Sequence, residues 1–147
     1  MSQHVTIVMI EDDEGHARLI EKNIRRAGIS NPIRHFLEGT SAVDYLENAP
    51  EGPNHNGPAL VLLDLNLPDM SGTDILARIK GGDGALKRTP VVVLTTTDDK
   101  VEIQRCYDLG CNVYITKPVN YESFAQAIRQ LGLFLSVIQV PGDEPTA

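Results

Sequence analysis

Five short apolar runs, each followed by a segment of helical spacing, constrain this chain more than any other feature of its sequence. Val5-Thr6-Ile7-Val8-Met9-Ile10 stops at Glu11-Asp12-Asp13, and Ala59-Leu60-Val61-Leu62-Leu63 runs directly into Asp64. Pro90-Val91-Val92-Val93-Leu94 ends at Thr95-Thr96-Thr97, and Val113-Tyr114-Ile115-Thr116 ends at Lys117-Pro118. Pro32 to Leu37 supplies the remaining strand. A strand that is apolar without alternation is buried on both faces, which is the condition of a parallel sheet covered by helices.

The segments between these runs read as helices. Ala17, Ile20, Ile24 and Ala27 fall at helical spacing over residues 15–27, and Gly28 ends that helix. Ser41 to Leu46 is a short helix, and Ser71 to Lys80 is another, with Ile75, Leu76 and Ile79 on one face and Gly81-Gly82-Asp83-Gly84 breaking it. Asp98 is expected to cap a helix that runs to Leu109 and stops at Gly110. The stretch from Asn48 to Pro58 is rich in Pro, Gly and Asn and reads as a loop. A last helix starts near Asn120. Right-handed β-α-β crossovers then predict an α/β, flavodoxin-like, doubly wound five-stranded parallel sheet in order 2-1-3-4-5, with helices on both faces.

Length and composition narrow the function. The chain's 147 residues suffice for one hydrophobic core and are short for two. We expect one domain over 1–140, including an extended C-terminal helix or arm, followed by a polar tail over 141–147. A net charge of −7 leaves no basic footprint for nucleic acid. The N-terminus has no basic region followed by an apolar run, and no stretch approaches the ~20 apolar residues that span a bilayer. A soluble, cytoplasmic protein with no membrane or nucleic-acid partner is therefore expected. Cys106 and Cys111 lack the further ligands of a metal site and read as ordinary thiols. His4, His16, His35 and His55 lie in unrelated contexts, and none reads as catalytic.

In open parallel sheets ligands bind beyond the carboxyl ends of the strands. The proposed order makes strands 1, 3, 4 and 5 neighbours, which gathers Glu11, Asp12 and Asp13, then Asp64 and Asn66, then Thr95, then Lys117 around one cleft. Clustered carboxylates call for a cation, and Mg²⁺ takes hard oxygen ligands. A carboxylate such as Asp64 can act as a nucleophile toward phosphorus, with Mg²⁺ offsetting charge on the phosphoryl oxygens. Lys117 and the Thr95 hydroxyl suit the oxygens that the metal leaves. Asp13 has an equally good reading as the cap of the first helix.

The segments IEDDE, LLDLNLPDMSG, VVVLTTT and VYITKP, taken together and in this order, resemble the motifs of response-regulator receiver domains, over about residues 5–131. The resemblance implies that Asp64 is the phosphoacceptor, that Asp12 binds Mg²⁺ directly and that Glu11 does so through water. It implies that the Asn66 backbone carbonyl completes the metal site. Thr95 matches the switch hydroxyl, Lys117 the lysine that meets the phosphoryl group, and Tyr114 the aromatic residue whose ring moves inward. It implies a phosphoryl donor on a partner histidine kinase and a signalling role in a phosphorelay, not that of an enzyme with its own substrate. Two positions depart from the usual pattern: Glu11 stands where many receivers carry Asp, and Thr96 where a small residue is common.

Beyond Leu131 the last helix reads Gly132-Leu133-Phe134-Leu135-Ser136-Val137-Ile138-Gln139-Val140, apolar on most sides. One buried face needs only part of that surface, so Leu133, Phe134 and Val137 predict an apolar patch that pairs two copies in a homodimer. With the Pro/Gly-rich loop before strand 3, this extension resembles the stand-alone receivers that work with bacterial and cyanobacterial phytochrome kinases. Two other functions fit the sequence less well. An aspartate-nucleophile phosphatase of the haloacid-dehalogenase type needs D-x-D after the first strand, whereas Asp64-Leu65-Asn66 follows the third. A nucleotide-binding flavodoxin-like protein needs a glycine-rich phosphate loop, and none is present.

Overall fold

The computed structural model describes residues 5–26, 28–50, 52–53, 59–82, 84–117 and 122. Within them the elements run β1 (Thr6–Ile10), α1 (Glu14–Arg26), β2 (Ile33–Phe36), α2 (Gly39–Asn48), β3 (Ala59–Leu63), α3 (Gly72–Gly81), β4 (Val91–Thr95), α4 (Lys100–Leu109) and β5 (Val113–Thr116). The five strands are all parallel and ordered β2-β1-β3-β4-β5, as the sequence predicts.

The unalternated strands bury both faces. Val8, Ile10, Val61, Leu63, Val91 and Val93 pack with α2, α3 and α4 through Leu46, then Ile75, Leu76 and Ile79, then Cys106. Ile7, Met9, Leu60, Leu62, Val92 and Leu94 face the other way, onto Ala17, Ile20 and Ile24 of α1. Side chains such as Ile7, Met9, Leu60 and Leu62 are essentially inaccessible to water. Each contributes about 1.5–3 kcal/mol by that burial. Cys106 and Cys111 are free and buried, and burial pushes the Cys111 thiol up to about 11, so both behave as small apolar residues.

α1 and α3 begin within one residue of the sequence reading, at Glu14 and at Gly72 with Ser71 as cap, and the starts of α2 and α4 differ for identifiable reasons. α2 begins at Gly39 and not Ser41, because Asp69, thirty positions along the chain, accepts hydrogen bonds from Gly39 N and Thr40 N at 2.8 Å each. A hydrogen bond from the Thr40 side chain, helped by these two backbone bonds, holds the Asp69 carboxyl down at about 2. The residue before the helix, Glu38, makes no side-chain cap. The cap of α4 is Asp99, not Asp98: its carboxylate accepts from Val101 N at 2.9 Å. Gly110 ends α4 as expected, in the left-handed region with φ 108°. Most of the loop before β3, the Lys117-Pro118 bond, the last helix and the apolar residues Leu133, Phe134 and Val137 lie outside the described residues.

Candidate functional site

The site is built by continuing the sheet one residue past each strand. Glu11 N donates to Phe36 O at 3.0 Å, Asp64 N to Ile10 O at 3.0 Å, and Lys117 N to Thr95 O at 2.6 Å. The last residues of apolar strands thus fix the backbone of the first polar ones, which is why the side chains converge at the carboxyl edge. Glu11, Asp64, Thr95 and Lys117 are all less than 8% exposed, whereas Asp12 and Asn66 stand at the open rim.

Lys117 is the hub. Its ammonium donates to Glu11 Oε1, to Asp64 Oδ2 at 3.2 Å, and approaches His16 Nδ1 at 3.3 Å. Each carboxylate is held on its other oxygen by a backbone amide: Glu11 Oε2 accepts from Asp13 N at 3.1 Å and Asp64 Oδ1 from Asn66 N at 3.0 Å. Burial raises the Glu11 carboxyl above its ordinary range, the Lys117 hydrogen bond opposes this, and the neighbouring Asp64 adds to it. Oxygens of Glu11, Asp12 and Asp64 all lie within 4.8 Å of one another, with Asp12 on the solvent side. An all-oxygen, acidic set open on one side fits a hard, partly hydrated divalent cation of the Mg²⁺ kind.

On the β4 side, Asn66 Nδ2 donates to Thr95 Oγ1 at 3.2 Å and lies 3.4 Å from Thr96 Oγ1. Tyr114 is half-buried against the core beside α4, and its hydroxyl donates to Thr97 O at 2.8 Å. Burial, reinforced by nearby acidic and thiol groups, pushes that phenol up to about 12. Of the residues expected from sequence, Glu11, Asp12, Asp64, Asn66, Thr95 and Lys117 therefore meet in one cleft. Tyr114 meets them through the backbone that follows Thr95. Asp13 caps α1, its Oδ1 accepting from His16 N at 3.0 Å.

Two histidines prove closer to this cleft than their sequence contexts suggested. His35 Nε2 donates to Glu11 O at 2.7 Å and braces the turn after β1. His16 reaches Lys117. The available signal was positional, since His16 lies one and two helical turns before the buried Ile20 and Ile24, at the end of α1 next to the strand ends.

A doubly wound parallel sheet with three carboxylates and a buried lysine at its carboxyl edge defines the receiver class of signalling domains. The family model for the response regulator receiver domain matches residues 7–129, and the chain belongs to that family. It is similar to a receiver domain from Rhodospirillum rubrum solved by crystallography: 67% identity, covering 94% of this chain and 98% of that one, TM-score 0.78. It also resembles the phosphorylated cyanobacterial phytochrome response regulator RcpA, with 37% identity over 90% of this chain and 94% of that one, TM-score 0.74. Response regulator Rcp1 of Synechocystis is 33% identical over 92% of each chain. The Mn²⁺-bound crystal form of Rcp1 superposes with a TM-score of 0.72 at 31% identity over 97% of each chain. The protein is thus a two-component response regulator with relatives among the phytochrome response regulators, and no described helix is long and apolar enough to cross a membrane.

Proposed function

We propose that this receiver takes a phosphoryl group onto Asp64 from the phosphohistidine of a partner kinase, in a Mg²⁺-dependent reaction, and changes partner binding as a result. The observation that carries the reading is the Asp64 carboxylate itself: buried at the end of an apolar strand, beside Lys117 Nζ and inside a three-carboxylate cluster. An Asp64 oxygen attacks phosphorus, the P–N bond of the donor breaks, and the imidazole leaves with the electron pair. The product is an acyl phosphate. Glu11, Asp12, Asp64 and the Asn66 backbone carbonyl are the residues that would hold Mg²⁺, which would supply charge neutralisation for the phosphoryl oxygens. Lys117 exchanges its Asp64 contact for a phosphoryl oxygen. Thr95 leaves Asn66 and donates its hydroxyl to another, and the segment after β4 follows it, with Tyr114 tied to that segment through Thr97. Catalysis here is positioning and charge balance, and the chain serves as switch, not as an enzyme turning over a separate substrate.

The phosphorylated state of RcpA and the Mn²⁺-bound state of Rcp1 support this chemistry by relationship. The same relationship makes a phytochrome-type histidine kinase in the cytoplasm the favoured donor. Intact-mass spectrometry after incubation with acetyl phosphate and Mg²⁺ is expected to register one added phosphoryl group in the wild type and none in Asp64→Asn. Equal addition in both proteins would remove Asp64 as acceptor.

We further assign residues 1–140 to one domain with 141–147 as its tail, and Leu133, Phe134 and Val137 to a homodimer contact. Sedimentation at tens of micromolar is expected to give a dimer that Leu133→Glu or Phe134→Glu converts to monomer. A wild-type monomer, with and without a phosphoryl mimic, would discard the contact.

A further inference from the structure

An ammonium has three N–H donors and no lone pair. Among the described residues, the three donors of Lys117 have three acceptors: Glu11 Oε1, Asp64 Oδ2 and His16 Nδ1. The third contact is an undirected one at 3.3 Å; an ammonium carries no lone pair, so the Nδ1 that meets it does so as an acceptor, with Asp13 Oδ2 4.0 Å away on its other side. The first two acceptors are the same carboxylates assigned above to the metal. Lysine and cation therefore compete for Glu11 and Asp64, and a lysine that is 7% exposed is poorly compensated by water when it loses them. His16 is the acceptor outside the carboxylate cluster, anchored at the first turn of α1, where its own backbone N is held by Asp13.

We propose that His16 is a positioning residue for Lys117, keeping hold of the ammonium when a divalent cation draws on Glu11 and Asp64, and so favouring metal uptake by the cleft. The proposal rests on the receiver reading of that cleft. His16 touches neither metal nor phosphoryl group in this role; it acts by lowering the cost to Lys117 of sharing its carboxylates. The half-exposed ring at the rim of the site suits such a part, since it can follow the ammonium without disturbing the packed strands.

The test is calorimetric titration of the full chain with Mg²⁺ alone, without phosphoryl donor. His16→Ala is expected to raise the Mg²⁺ Kd about 3- to 10-fold, the size of one ordinary hydrogen bond, since the half-exposed ring is partly replaced by water. His16→Asn, whose Oδ1 occupies the place of Nδ1, is expected to return the Kd to within about twofold of wild type. In a Lys117→Met background His16→Ala is expected to have no effect, because the residue it acts through is gone. Thermal unfolding without metal serves as the control for helix α1 and is expected to stay a single transition within a few degrees of wild type, the loss of one partly exposed hydrogen bond. Equal Kd values for wild type and His16→Ala would overturn the inference alone, as would an effect that persists in the Lys117→Met background. A wild type that takes up no Mg²⁺ would overturn the metal reading and this inference with it.

Discussion

Replacing Lys117 by Met is expected to lower the stability of the metal-free protein by about 3 kcal/mol at pH 8, the lower end of the range for removing one partner of a buried ion pair. The lower end applies because the cleft opens to water on the Asp12 side. Met preserves the unbranched stem of the lysine, so the loss is electrostatic. Glu11 and Asp64, 1% and 5% exposed, are left facing each other with no cation between them. The deficit carries a pH signature whose sign follows from Glu11. A carboxyl whose folded-state pKa is raised binds more protons folded than unfolded, so stability falls as pH rises above the ordinary value of 4.5 and the full cost applies above the folded value. Lys117 restrains that rise, and its removal enlarges it. The variant should therefore lag wild type most at neutral and alkaline pH and recover as pH falls toward 4.5. Mg²⁺ at about a hundred times its Kd adds about 2.7 kcal/mol to any protein that binds it only when folded. The gain should be larger in the variant at a given Mg²⁺ concentration, because the competing ammonium is absent. Urea unfolding at pH 5 and pH 8, with and without Mg²⁺, checks all three statements. A deficit below about 1 kcal/mol at pH 8, or one independent of pH, would mean that Lys117 does not balance these carboxylates.

The same charge cluster explains how much of the protein was legible in its sequence. A parallel sheet buried on both faces writes its strands as unbroken Val, Ile and Leu, so β1, β3 and β4 announce themselves, and the polar residue that ends each run marks the cleft. Glu11, Asp64, Thr95 and Lys117 are thus readable as neighbours once the strand order is known. What the sequence does not write are contacts between residues with no shared period. Asp69 caps α2 from thirty positions away. Asn66, an obvious turn residue before Leu67-Pro68, also holds the Thr95 hydroxyl. Asp98 and Asp99 are equally good caps by type, and it is Asp99 whose carboxylate meets Val101 N. His16 looked inert because its partner lies 101 residues on, at the end of the last strand.

One glycine in the LLDLNLPDMSG segment carries a structural demand as severe as any catalytic residue's. Gly72 opens α3, and a Cβ there would stand 2.4 Å from Leu65 Cα and 2.7 Å from Asp64 O. Both obstacles are backbone, and Gly72 N is itself bonded to Leu65 O at 3.1 Å, so neither side can yield by a rotamer change. Gly72→Ala is expected to cost about 3 kcal/mol, the upper part of the usual range for forcing atoms into a packed site. For a chain of this length that is a fall in Tm of roughly 10 °C. Gly81, at the far end of the same helix, has nothing within 4 Å of the corresponding position. Gly81→Ala should therefore be neutral or gain up to about 1 kcal/mol from the better helix propensity of alanine. The pair separates close packing from helix propensity within one helix. The displacement at Gly72 also falls on the backbone that aims Asp64 and presents the Asn66 carbonyl. Its damage should therefore reach the chemistry as a raised Mg²⁺ Kd and slower phosphorylation by acetyl phosphate under conditions where the variant is still fully folded. A Gly72→Ala protein as stable as Gly81→Ala would show that α3 does not press on the β3 loop. A destabilised variant with wild-type metal affinity would separate the packing of that loop from the site it carries.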